Sequence, residues 1–211
     1  INAYYERPAM LDLAGEVAGR RILDAGCGSG PLSAALRDRG ATVTGFDSSA
    51  KMLELARKRL GEDADLQLAD LGSPLPFPDA AFDDVVASLV LHYLEDWTAP
   101  LAELRRVLAP GGRLILSVEH PSVGLVAPDH DYFATSSYSE EWTLGGHSAL
   151  MTFWRRPLHA MTEAFTAAGF RINVISEPSP APGARELFPE IFVDKPSGTF
   201  VSFLFFALQA E

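Results

Sequence analysis

Cysteine is nearly absent from this 211-residue sequence, where Cys27 stands alone. A single thiol forms no internal disulfide, which fits a reducing compartment, so a cytoplasmic protein is expected. Long apolar runs are missing as well. The longest, residues 203–208, counts six, against the ~18 that a membrane span needs. No membrane partner is expected. Positive charge is scarce, with 17 Lys and Arg against 28 Asp and Glu, a formal net charge of −11. Such a surface repels a polyanion, so nucleic acid is not an expected partner either. The densest basic cluster, Arg57-Lys58-Arg59, falls at the end of an expected helix, where it complements the helix dipole. The five histidines (92, 120, 130, 147 and 159) show no H-x-x-x-H or comparable spacing, and no metal is expected. The chain opens on Ile1 in place of Met, so further residues are expected ahead of it. Nothing visible resembles a targeting segment.

What is present is an ordinary globular balance, 47% apolar and 21% charged, in a chain long enough to bury a core without staples. Residues 1–211 are expected to form one domain. The first two thirds alternate between β-like and helical runs. Residues 21–24, 42–47, 66–70, 82–88 and 113–118 read as strands. Between them, residues 31–39 read as a helix, with proline at the first position and Gly40 past the end. Ser48 or Ser49 can cap a second helix carrying Leu53, Ala56 and Leu60 on one face, stopped by Gly61. Leu101, Leu104 and Leu108 mark a further helix, stopped by Pro110-Gly111-Gly112. This alternation predicts an α/β fold, a doubly wound and mostly parallel sheet with helices on both faces.

Residues 120–155 break the pattern. They lack clear periodicity yet hold Tyr132, Phe133, Tyr138, Trp142, Phe153 and Trp154. A segment of that length inside a domain reads as an inserted lid over the substrate. Regularity returns with a helix over 157–168, stopped by Gly169, and strands over 171–176 and 200–208. Residues 177–197 between those strands are rich in proline and offer no long crossover helix, so the two pair antiparallel.

The chemistry concentrates in Asp24-Ala25-Gly26-Cys27-Gly28-Ser29-Gly30, between the first strand and the helix that follows it. Glycines there allow a tight turn and close approach to a ligand, at the end of the sheet where such folds bind. The dinucleotide pattern G-x-G-x-x-G fails in both registers, because the third glycine would be Pro31 or Ser33. Asp24 would also repel a pyrophosphate. The same carboxylate suits a ligand carrying an ammonium group and a sulfonium centre.

These residues resemble the class I S-adenosylmethionine-dependent methyltransferases, in their small-molecule, type 11-like branch. The resemblance rests on Asp24–Gly30, on Asp47 at the end of the second strand, and on Asp70-Leu71 at the end of the third. Phe82-Asp83-Asp84-Val85-Val86 and Leu108-Ala109-Pro110-Gly111-Gly112-Arg113-Leu114 extend it, and Leu91-His92-Tyr93-Leu94-Glu95-Asp96-Trp97 is similar to one subgroup. It implies a seven-stranded sheet of order 3-2-1-4-5-7-6 with strand 7 antiparallel. It also implies S-adenosylmethionine as cofactor, S-adenosylhomocysteine as product, and a small-molecule methyl acceptor. Asp47 would hold the ribose hydroxyls, while Asp70 and the Leu71 N–H would meet the adenine. Asp24, Gly26, Cys27, Gly28 and Gly30 would form the loop around the cofactor, with Ser48 beside Asp47. Met52 would pack on the adenine, Ser88 would lie near the methionine portion, and Tyr4 would close over the cofactor. Cys27 lacks any motif for activation and reads as a small structural residue.

For an acceptor hydroxyl a nearby base is useful, and His120, just past the fifth strand, is the first candidate, with His92 second. The alternatives are a cofactor-binding module without catalysis and an NAD(P)-dependent oxidoreductase. The [DNS]-P-P-[YFW] motif of base-methylating enzymes is absent.

Overall fold

The most completely buried strands lie at the centre of the sheet. The computed structural model describes residues 1–123, 131–144, 147–193 and 200–211. Its larger sheet comprises β1 (Arg21–Ala25), β2 (Thr42–Asp47), β3 (Leu66–Leu68), β4 (Phe82–Ser88), β5 (Leu108–Glu119), β8 (Phe170–Ser176) and β9 (Phe203–Ala210). Two further strands, β6 (Ser136–Leu144) and β7 (His147–Arg155), form a separate hairpin. The seven strands lie in the order β3-β2-β1-β4-β5-β9-β8. With the hairpin strands counted, this is the expected order, and β9 runs antiparallel to both neighbours.

Alternate residues point to opposite faces of the sheet, and the two apolar clusters divide accordingly. Ile22, Val86, Ile115 and Phe205 pack beneath α1 (Glu6–Ala14) and α2 (Pro31–Asp38). Leu23, Val85, Leu114, Leu116 and Phe206 face α4 (Thr98–Val107) and α5 (Leu158–Ala167). A third cluster, Leu53 and Ala56 of α3 (Ala50–Leu60) with Cys27 and Leu66, closes the β2–β3 end. Each large apolar side chain fully buried in this way contributes about 1.5–3 kcal/mol. Asp84, wholly buried on β4, is held by Arg20 (2.5 and 2.8 Å) and by Arg113 (2.8 and 2.7 Å). Those two bidentate contacts offset the cost of taking its charge out of water.

Several boundaries differ from the sequence reading. Helix α4 ends at Val107, and Leu108 already pairs with Phe82 as the first residue of β5. The register then jumps to Arg113↔Asp84, so Pro110-Gly111-Gly112 forms an irregularity within the strand and not a helix stop. Strand β3 ends at Leu68, because the Asp70 carboxylate turns the chain by accepting the Gly72 N–H at 2.9 Å. Strand β9 begins at Phe203, since the Phe200 carbonyl instead accepts the Tyr5 hydroxyl. The hairpin lay hidden because it carries apolar groups on both faces: Phe153 inside, Leu150 out in solvent. In the proline-rich segment, α6 (Ala184–Leu187) and one 3-10 turn, Pro189–Phe192, are present. Among the described residues no helix is long and apolar enough to cross a membrane.

Candidate functional site

The three glycines after β1 have φ values of +69°, +56° and +76°, a region that side chains avoid. Each also meets a different surrounding. A Cβ on Gly26 would lie 2.6 Å from Val90 Cγ2, and one on Gly30 would lie 3.0 Å from Leu60. Beside Gly28 there is open space. The loop is fixed by its own backbone, with the Cys27 N–H donating to Phe46 O (2.9 Å) and the Gly30 N–H to Cys27 O (2.9 Å).

In front of Gly28 opens a cleft of about 550 Å³ at the C-terminal ends of the parallel strands, within the size range of small-ligand sites. Gly26, Gly28, Asp47, Ser48, Met52, Asp70 and Leu71 line it, all expected from the sequence. Asp47 anchors the corner. Its Oδ2 accepts the Gly28 N–H at 2.9 Å and its Oδ1 accepts the Ser49 N–H at 2.8 Å. Ser49, and not Ser48, caps α3 by accepting the Met52 N–H at 3.3 Å. Phe46, Met52, Ala69 and Leu71 line the same cleft and give it apolar wall beside the two aspartates.

Other expected residues stand apart from the cleft wall. Asp24 is fully buried behind the loop, where its Oδ2 accepts the Ser33 hydroxyl at 2.5 Å and its Oδ1 has no partner. Burial pushes its carboxyl up to about 7, with the charges of Glu6 and Asp47 adding to the effect. The Cys27 thiol sits in the Leu53–Ala56–Leu66 cluster, and burial raises its pKa well above that of a free thiol. Cys27 is a packing group. Gly30 lies at the start of α2, under Leu60. The Ser88 hydroxyl turns to the opposite side and donates to Glu6 at 2.7 Å. Tyr4 packs edge-on against Phe188 and lines no part of the cleft.

The histidines separate as well. His92 is buried between Tyr93 and Phe153, and its Nδ1 accepts the Glu119 N–H at 3.3 Å. Burial lowers its pKa to about 4, so it is neutral near pH 7 and a weak proton acceptor. His120 lies past the end of β5 and outside the cleft lining. Its Nε2 is 2.6 Å from Glu177 and its Nδ1 is 2.6 Å from the Ser122 hydroxyl. His130 lies outside the described residues.

Sequence reasoning missed Phe46, Ser49 and Ala69 of the wall, and beyond them Leu89, Val90, Tyr93, Leu94 and Met151. Leu89 has φ +52°, a conformation rare for a side-chain-bearing residue and common at functional sites. Met151 arrives from the hairpin, whose inner face is seated by Phe153 against Tyr93 (5.1 Å) and His92 (5.4 Å), with Tyr138 (5.3 Å) and Trp142 (5.4 Å) of the hairpin's other strand packed on the same ring. The Tyr138 hydroxyl donates to Glu119 at 2.5 Å, which ties the hairpin to the end of β5.

The geometry can be set beside known proteins. A family described as a methyltransferase domain matches residues 23–116. Malonyl-[acyl-carrier protein] O-methyltransferase of Serratia marcescens is 42% identical over 108 residues, covering 51% of this chain and 42% of that protein. Demethylmenaquinone methyltransferase of Thermus thermophilus is 43% identical over 115 residues, covering 52% of each. The chain thus spans about half the length of these curated relatives. An S-adenosylmethionine-dependent methyltransferase from Mesorhizobium loti superposes with a TM-score of 0.73 at 27% identity, over 96% of both chains. Residues 23–116 therefore match a methyltransferase domain, and the whole chain shares its seven-stranded fold with the S-adenosylmethionine-dependent methyltransferase from Mesorhizobium loti.

Proposed function

We propose that the chain transfers a methyl group from S-adenosylmethionine to a small-molecule acceptor. The single observation carrying this reading is the cleft in front of Gly28, lined by Asp47, Asp70 and apolar side chains. The residues fit the adenosyl group. Asp47 offers carboxylate oxygens to two ribose hydroxyls, Asp70 accepts from the adenine amino group, and the apolar side chains pack on the ring. When bound, the donor supplies an electrophilic methyl on a sulfonium sulfur, displaced in line to leave S-adenosylhomocysteine.

The chain's own contribution is to orient and to exclude water. The hairpin serves as the lid of the expected insertion, with Met151 and Tyr93 closing the acceptor side. His120 is the proposed base for an acceptor hydroxyl. Its Nδ1 takes the proton once its contacts to both the Ser122 hydroxyl and the Ser122 N–H (3.1 Å) are released, and the Glu177 carboxylate stabilises the imidazolium that forms. A single domain and a cytoplasmic site of action complete the proposal.

Calorimetry tests it. The protein is expected to bind S-adenosylmethionine and S-adenosylhomocysteine but not NAD, and Asp47→Ala is expected to weaken both by about tenfold or more, since hydrogen bonds to charged groups contribute ~1.5–3 kcal/mol. Binding of NAD alone, or equal affinity in Asp47→Ala, refutes the donor assignment.

A further inference from the structure

Strand order spreads the cleft along the rim of the sheet, from β3 through β2 and β1 to β4. Asp70 follows β3, Asp47 ends β2, and Gly26 and Gly28 follow β1. Adenine at Asp70 and ribose at Asp47 occupy the β3 and β2 end, which leaves the β4 end to the acceptor. There the wall changes character. Leu89 and Val90 follow β4, Tyr93 ends the 3-10 turn Leu91–Tyr93, Leu94 comes next, and Met151 reaches in from the hairpin.

Apolar surface is left uncovered on this wall. Leu91, His92 and Phe153 are buried, whereas Leu89, Val90, Leu94 and Met151 remain half-buried and Tyr93 is 37% exposed. Apolar area facing a cleft is stabilised when an apolar ligand takes it out of water. Tyr93 presents an aromatic ring and Met151 a polarizable thioether, and both favour an aromatic partner.

Charge restricts the occupant further. Among the described residues lining the cleft there is no Lys, Arg or His, and the ionisable side chains are Asp47, Asp70 and Tyr93. His92 packs against Tyr93 and is held neutral by burial. Arg155 lies over the Tyr138 ring at 3.7 Å and Arg156 over Trp97 at 4.5 Å, and neither lines the cleft. Burial holds the Tyr93 phenol above its ordinary range, and the charges of Asp47 and Glu119 push it the same way. The field on this side is negative. A carboxylate or phosphate brought here loses water and meets carboxylates in place of a cation. The Tyr93 hydroxyl can still donate to, or accept from, a neutral polar atom.

We propose that the methyl acceptor is an uncharged aromatic molecule, seated against Tyr93 and Met151 at the β4 end of the cleft, and that carboxylates and phosphates are turned away. This rests on the donor reading of the cleft. The hairpin then selects the acceptor as well as shielding it, because Met151 belongs to both.

The test uses the full chain saturated with S-adenosylhomocysteine and two probes of similar shape, 2-naphthol, uncharged near neutrality, and 2-naphthoate, an anion. Calorimetric titration is expected to show 2-naphthol binding, with 2-naphthoate about tenfold weaker or more, as befits a charge without a partner. Met151→Lys places a cation in the wall and is expected to close or reverse that gap. Tyr93→Leu keeps apolar bulk without a ring and is expected to weaken 2-naphthol about threefold or more. Equal or tighter binding of 2-naphthoate by the parent, or binding of neither probe, overturns the proposal. So does a gap unchanged in Met151→Lys or a 2-naphthol affinity unchanged in Tyr93→Leu. Should Met151→Lys fail to fold, Met151→Ala takes its place, with weaker 2-naphthol binding expected and unchanged binding overturning the seat. A parent that does not bind S-adenosylhomocysteine refutes the donor reading itself, and the acceptor seat with it.

Discussion

Asp24 and Asp47 end neighbouring strands on either side of one glycine loop, but water reaches only the second. Asp47 faces the cleft with two backbone N–H groups holding it in place. Asp24 is enclosed with one oxygen unpartnered. Strand-end aspartates look identical in a sequence, so their spacing gave the loop and not the division between a cleft residue and a buried one. His120 poses the same contrast with His92. It keeps a carboxylate partner at 2.6 Å, whereas His92 is buried and held neutral. If His120 takes the acceptor's proton, His120→Ala should lower turnover by about 10²-fold or more while donor affinity changes less than about threefold. Turnover equal to the parent's, measured with a verified acceptor, removes His120 as the base.

At the scale of elements, the five parallel strands and the final antiparallel pair were legible because their apolar runs are short, β-branched or aromatic, and punctuated by glycine and proline. The hairpin was not. Its inner face mixes Tyr138, Glu140 and Phe153, its outer face carries Leu150 and Trp154, and neither pattern has period two. What seats it is a ring cluster around Phe153, 4% exposed, which joins residues distant in the chain. Phe153→Ala leaves that cluster without its centre, at a cost of about 3 kcal/mol. The expected outcome is a lowered melting temperature, donor binding within about threefold of the parent, and methyl transfer reduced about tenfold or more. Full transfer activity in a protein so destabilised argues against the hairpin as lid.

For the whole molecule, pH sets two buried groups against each other. Asp24 titrates higher folded, at about 7, than its ordinary 3.8. Its contribution is thus present at low pH and is lost as pH rises through 7. His92 titrates lower folded, at about 4 against 6.5, so its contribution is present at neutral pH and lost as pH falls toward 4. Asp24→Asn removes the Asp24 titration and leaves that of His92. In urea unfolding between pH 4.5 and 7.5, the variant should gain stability relative to the parent as pH rises, by up to about 1.4 kcal/mol per pH unit. A difference independent of pH shows that Asp24 is not the titrating group.

The sequence by itself determined the strand–helix alternation, the sheet order through its resemblance, and most of the cleft's adenosyl wall. Each of these is encoded locally, in the period of apolar residues and in glycines and acids at strand ends. Only the tertiary structure decided which of those acids are dry, that Glu6 at the start of α1 meets Ser88 and Ser117, and that Met151 reaches the cleft. Those facts depend on contacts between elements far apart in the chain, and burial and charge pairing exist only once the elements have packed.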